Sequence, residues 1–110
     1  MELSEPSYYV LASLQDGPLH GYGILKHVET ITEGRIRLAV GTLYGVLDRL
    51  VERGFIVLAS EEIVEGRARR SYQLTRSGFD TLTEEATHLA AAAAVVRPRA
   101  KRGAVATSLA

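Results

Sequence analysis

GTLYGVLDRLVERG, running from Gly41 to Gly54, reads as a helix with one apolar stripe and one polar face. Leu43, Val46, Leu47 and Leu50 recur at the i, i+3, i+4, i+7 spacing that aligns side chains on one side of an α-helix. That stripe is core. Thr42, Tyr44, Gly45, Asp48, Arg49 and Glu52 fall toward the other side, where hydroxyls and an arginine fork can meet phosphates or base edges. Gly54 stands where a C-terminal cap is wanted, and the strand-like run from Phe55 to Ala59 follows at once. A helix feeding straight into a hairpin predicts a winged helix, mostly α with a small β-hairpin.

Upstream, Pro6 to Leu14 forms an apolar, helix-compatible run that opens on a proline suited to a first turn and stops at Gln15-Asp16-Gly17-Pro18. A second helix is predicted from His20 to about Ile31, with Ile24, Leu25, Val28 and Ile31 as its buried stripe. Gly21 and Gly23 weaken it and are read as points of close packing against a neighbouring helix. Glu33 to Ala39 bridges to the Gly41 helix, with a short strand expected at Ile36 to Leu38. Downstream, Phe55 to Ala59 and Ser71 to Leu74 are predicted strands, and Glu65-Gly66 is their turn.

The last helix should start after Thr75, a good N-cap residue, and reach about Val96 before Pro98 ends it. Phe79, Leu82, Ala86, Leu89, Ala93 and Val96 are spaced alternately three and four apart, the pattern of a coiled-coil seam. A helix of about 22 residues is about 33 Å long, more than a small domain needs to close its own core. Part of that seam should therefore meet a second chain, either on the same helix or on helix 1, where Tyr8 and Leu11 are the candidate contacts. The expected organisation is a winged-helix domain over residues 1–75, a dimerisation helix over 76–97 and a disordered basic tail over 98–110.

Composition narrows the function classes. With 46% apolar and 24% charged residues in 110, the chain has room for one small globular core. It has no cysteine, which excludes disulfides, thiolate metal sites and a cysteine nucleophile and is compatible with the cytoplasm, the expected location. No basic region precedes an apolar run at MELSEPSYYV, and Leu89 to Val96 is far too short to span a bilayer, so no membrane partner is expected. The formal net charge is zero, yet Arg67, Arg69, Arg70 and Arg76 follow one another without an intervening acid, as do Arg97, Arg99, Lys101 and Arg102. His20 and His27 lie seven apart with His88 remote, a poor arrangement for a metal, and no motif brings a nucleophile and a base together. Neither an enzyme nor a cofactor is expected.

Three stretches, GPLHGYGI (Gly17 to Ile24), GTLYGVLDRLVERGFI (Gly41 to Ile56) and RRSYQLTRSG (Arg69 to Gly78), resemble in order and separation the PadR family of bacterial transcription regulators. The single helix after the wing resembles the short subgroup of that family. The resemblance implies a winged helix-turn-helix homodimer that represses promoters on double-stranded DNA and releases them on a small-molecule or stress signal. It makes Gly41, Thr42 and Tyr44 the start of the recognition helix and Arg49 a basic residue on it, with Gly45 a further candidate contact on the same face. Arg67, Arg69 and Arg70 become the wing, while His20 and Tyr22 open helix 2 as candidate phosphate contacts whose side chains could instead satisfy the helix end. The last helix becomes the dimer interface and the place of a small-molecule effector. Where many members carry proline, this chain carries Val40 and Gly45, and it lacks the tryptophan that lines a drug pocket in some short members. The expected function is a ligand-responsive repressor on a palindromic operator; the competing reading is a winged-helix module that binds a protein and no DNA.

Overall fold

The computed structural model describes residues 3–97, and the tail expected at 98–110 lies outside them. Four helices and a three-stranded antiparallel sheet follow the order α1 (Glu5–Ser13), β1 (Leu19–His20), α2 (Gly21–Ile31), α3 (Val40–Glu52), β2 (Ile56–Val64), β3 (Arg67–Leu74) and α4 (Arg76–Ala94). Two of the four helix starts carry a side-chain cap. Ser4 caps α1 by accepting from the Ser7 N–H at 3.3 Å, with Pro6 in the first turn. Thr75 caps α4 by accepting from the Gly78 N–H at 3.0 Å, while its own hydroxyl donates to the Gly54 carbonyl at 2.6 Å. One side chain thus ties the end of α3 to the start of α4.

The core gathers Val10, Leu11 and Leu14 of the first helical segment, Ile24 and Val28 of α2, and Leu43, Val46, Leu47 and Leu50 of α3, closed by Phe55, Ile56, Tyr72 and Leu82. The α3 stripe is as predicted, since all four of its residues are essentially inaccessible. On α2 the stripe is shorter: Leu25 is half-buried and Ile31 is 41% exposed. Thr32 is buried in its place. Its hydroxyl donates to the Val28 carbonyl at 2.8 Å and accepts from the Ile36 N–H at 3.1 Å, which fixes the path into α3.

The sheet differs from the expected hairpin. Its order is β1-β3-β2, with Leu19 opposite Tyr72 and His20 opposite Ser71. Leu19–His20 takes the free side of β3, and no strand forms at Ile36 to Leu38, which instead packs Ile36 and Leu38 against the core. β2 and β3 are longer than predicted and run out to the Glu65-Gly66 turn, where φ values of 51° and 77° give the left-handed pair that a two-residue hairpin requires.

The α4 seam divides in two. Leu82 is 5% and Leu11 0% exposed, because the first half of α4 packs on α1 and closes the chain's own core. Both were expected to face a partner chain; buried in their own core, they are not on the surface that a partner could reach. Glu85, also buried, accepts from the Leu3 N–H at 3.1 Å and fastens the chain's start to α4. Along the seam Phe79 is 45% exposed, Ala86 and Leu89 are half-buried, and Ala93 and Val96 are open to solvent. Tyr8 is half-buried on α1, edge-on to Tyr9. The helix ends at Ala94, two residues short of Val96, with Val95 as its cap.

Candidate nucleic-acid interface

β1 covers β3 only at Ser71 and Tyr72, so the outer part of β3, from Arg67 to Arg70, keeps one edge open. The start of α2 stands beside that edge. Between them lies an open notch of about 270 Å³, lined by His20, Gly21 and Tyr22 of the β1–α2 junction, Tyr44 of α3, and Val64, Glu65 and Arg67 to Arg70 of the wing. Six of the ten candidate contact residues, His20, Tyr22, Tyr44, Arg67, Arg69 and Arg70, therefore border one concavity built from three separate elements.

Tyr44 is half-exposed and crosses toward α2. A side chain at Gly21 would place its Cβ 3.3 Å from the Tyr44 hydroxyl, so this glycine makes the room in which the phenol lies. Gly23 plays no such part, since its nearest neighbours are the side chains of His20 and Leu19 in its own segment. His20 occupies the N-cap position of α2 but makes no capping side-chain hydrogen bond. Its ring stacks on Tyr22 instead, with centroids 6.5 Å apart and planes at 24°. The outer face of Tyr22 is exposed, and Lys26 Nζ stands 5.8 Å from its ring centroid. Lys26 went unnoticed in the sequence, although a cation one turn after an exposed tyrosine is a signal that helical spacing offers.

The wing arginines are not equivalent. Strand alternation puts Arg67 and Arg69 on one face of β3 and Arg70 on the other, together with Tyr72. Arg70 pairs with Glu61 directly across the ladder, Nε to Oε2 at 3.4 Å. Arg69 stands opposite Glu62, but neither Arg67 nor Arg69 forms an ion pair among the described residues. Gly41 and Thr42 sit exposed on the first turn of α3, which begins after Ala39 without a side-chain cap. Gly45 is half-buried under Arg49, whose guanidinium folds back to 3.6 Å from where a Cβ would be. Gly41, Thr42, Gly45 and Arg49 lie along α3 outside the notch.

A model of the Transcriptional regulator PadR-like family matches residues 10–84, which spans α2, α3, the wing and the first half of α4. The chain belongs to the PadR-like family. A PadR family transcription regulator from Clostridium difficile R20291 is 25% identical with a TM-score of 0.71, the likeness covering 84% of this PadR-like chain and 94% of that one. The Bacillus subtilis PadR solved in complex with operator DNA shares the fold at a TM-score of 0.64 and 23% identity, over 86% of this chain and 48% of that one. An uncharacterized 37.1 kDa protein in transposon TN4556 of Streptomyces fradiae is 44% identical over 50 residues, 46% of this chain and 14% of that protein's length. The family that the chain matches is one of transcriptional regulators. Among the described residues no helix is long and apolar enough to cross a membrane, and no cluster of three or more metal-ligating side chains occurs.

Proposed function

We propose that this PadR-like chain is a DNA-binding repressor that acts as a two-fold homodimer on an inverted-repeat operator. The observation that carries the reading is the notch, where three elements far apart in sequence bring two tyrosines, a histidine, and Arg67 and Arg69, which form no ion pair among the described residues, around one concavity. Hydroxyls, ring N–H groups and guanidinium forks are the donors that hold a phosphodiester backbone. With a backbone strand along the notch, the start of α3 enters the neighbouring major groove and Gly41, Thr42, Tyr44 and Arg49 face base edges or their flanking phosphates. The B. subtilis protein that shares this fold was solved in complex with operator DNA, which supports DNA as the partner.

Dimerisation rests on the outer half of α4. Leu89 and Ala93 continue the seam beyond the chain's own core, and Val95 and Val96 leave an apolar strip that a second copy would cover. Two heads held by such helices fit an inverted repeat at one separation only. A small molecule between the α4 helices that favours another separation would lower operator affinity by its differential binding to the two states. Selection of bound sequences from a random DNA pool tests the proposal: it should recover an inverted repeat with half-sites about one helical turn apart. Recovery of no enriched sequence would leave the winged helix as a protein-binding module.

A further inference from the structure

Gly21 opens α2, and its backbone does not call for glycine: among the described residues the positive-φ glycines are Gly17, Gly34, Gly54 and Gly66. At a site whose conformation any residue can adopt, alanine is ordinarily the more stable choice, because it restricts the unfolded chain. Space is what Gly21 supplies. A Cβ there would lie 3.3 Å from the Tyr44 hydroxyl oxygen and 3.8 Å from the Cζ that carries it, with Leu43 Cδ2 at 3.7 Å. Only the hydroxyl contact is closer than ordinary van der Waals distance. Leu43 is 1% exposed in the core whereas Tyr44 is 49% exposed, so an added methyl group displaces the phenol, by a few tenths of an ångström.

We propose that Gly21 is a positioning residue for DNA, one that seats the Tyr44 hydroxyl on a backbone phosphate rather than on a base edge; the inference rests on the operator-binding reading above. The hydroxyl lies against the first turn of α2, which has no side-chain cap, and on the rim of the notch that Arg67 and Arg69 share. Apart from Glu65 at the wing tip, the polar side chains of that rim are hydroxyls, an imidazole and guanidinium groups. Donors converging from three elements suit phosphate oxygens, which only accept, better than the edge of a base pair, which mixes donors and acceptors. A hydroxyl donating to an anionic oxygen does so at about 2.5–2.7 Å. A displacement of a few tenths of an ångström takes it out of that range. Gly21 thus acts on DNA through Tyr44 alone.

The test is a double-mutant cycle on the full-length chain with Gly21→Ala, Tyr44→Phe and the two combined. Affinity for the selected repeat and for unrelated DNA is read by anisotropy, and each variant is also melted. Tyr44→Phe should weaken binding to both DNAs about tenfold, the scale of a hydrogen bond to a charged group, and should select the same repeat as the parent. Gly21→Ala should weaken both severalfold while melting at or above the parent temperature. The double variant should bind no more weakly than Tyr44→Phe, because the oxygen that the methyl group meets is gone. Parental affinity of Gly21→Ala overturns the assignment, and so does a Gly21→Ala loss that recurs in full beside Tyr44→Phe. A Gly21→Ala chain that melts below the parent shows that the glycine serves the Leu43 contact and the core instead. A changed repeat with Tyr44→Phe makes Tyr44 a base reader and contradicts the proposal. All of these leave the operator reading standing, whereas a parent that recovers no repeat overturns that reading and this inference with it.

Discussion

Gly78 lies where the first turn of α4 passes over the carbonyl of Phe55, so closely that a Cβ would overlap that oxygen. Backbone cannot step aside as a flexible side chain can. Gly78→Ala should therefore destabilise the fold at or above the upper end of the usual overpacking range of about 1–3 kcal/mol, as read by urea denaturation. Nothing in the sequence marks this glycine as different from its neighbours, because the collision arises between residues that only the folded chain brings together. Tyr44 is the opposite case. Its place on the outward side of α3 follows from the Leu43, Val46, Leu47, Leu50 register, although its lodging against Gly21 does not. Tyr44→Ala should weaken operator binding by about 1–3 kcal/mol with little change in melting temperature, measured by anisotropy titration alongside thermal denaturation. Unchanged affinity would remove Tyr44 from the interface.

At the scale of elements, the helices were legible where apolar periodicity and terminal residues agree: Pro6, Thr75 and the α3 stripe each fix a start or a face, whereas the Ser4 cap of α1 emerged only from the structure. β1 was not legible. Two residues carry no periodicity, and Leu19–His20 is a strand only because β3 offers an unpaired edge. The same edge explains why Ile36 to Leu38, β-prone by composition, stays irregular. The wing was legible as a basic hairpin, but the pairing that neutralises Arg70 and leaves Arg67 and Arg69 without an ion pair among the described residues depends on register across the ladder. Replacing Arg67 and Arg69 together by alanine should weaken binding to operator and unrelated DNA alike and make the salt slope shallower by about two units. Arg70→Ala should alter it less. An equal effect of all three arginines would show that Glu61 gives way when DNA arrives.

For the whole molecule, the three-four spacing along α4 predicted a seam but could not say which part of it the chain would use for itself. Leu82 went to the core and Leu89 onward did not, a division set by how far α1 extends along α4. Leu82→Glu would consequently test folding, not assembly. Leu89→Glu combined with Ala93→Glu places like charges on the outer half alone and should convert a dimer into a folded monomer, as sedimentation equilibrium with circular dichroism would register. A parent that is monomeric at micromolar concentration contradicts the assembly and the effector switch built on it. The central claim, that a chain of zero net charge binds DNA through the notch and α3, is tested most directly by the affinity of the intact protein for its selected repeat as salt is varied. The account predicts a linear fall of log affinity with log salt, steep enough to reflect several phosphate contacts on each protomer, and a large excess over unrelated DNA. A flat dependence, or equal affinity for both DNAs, would contradict it.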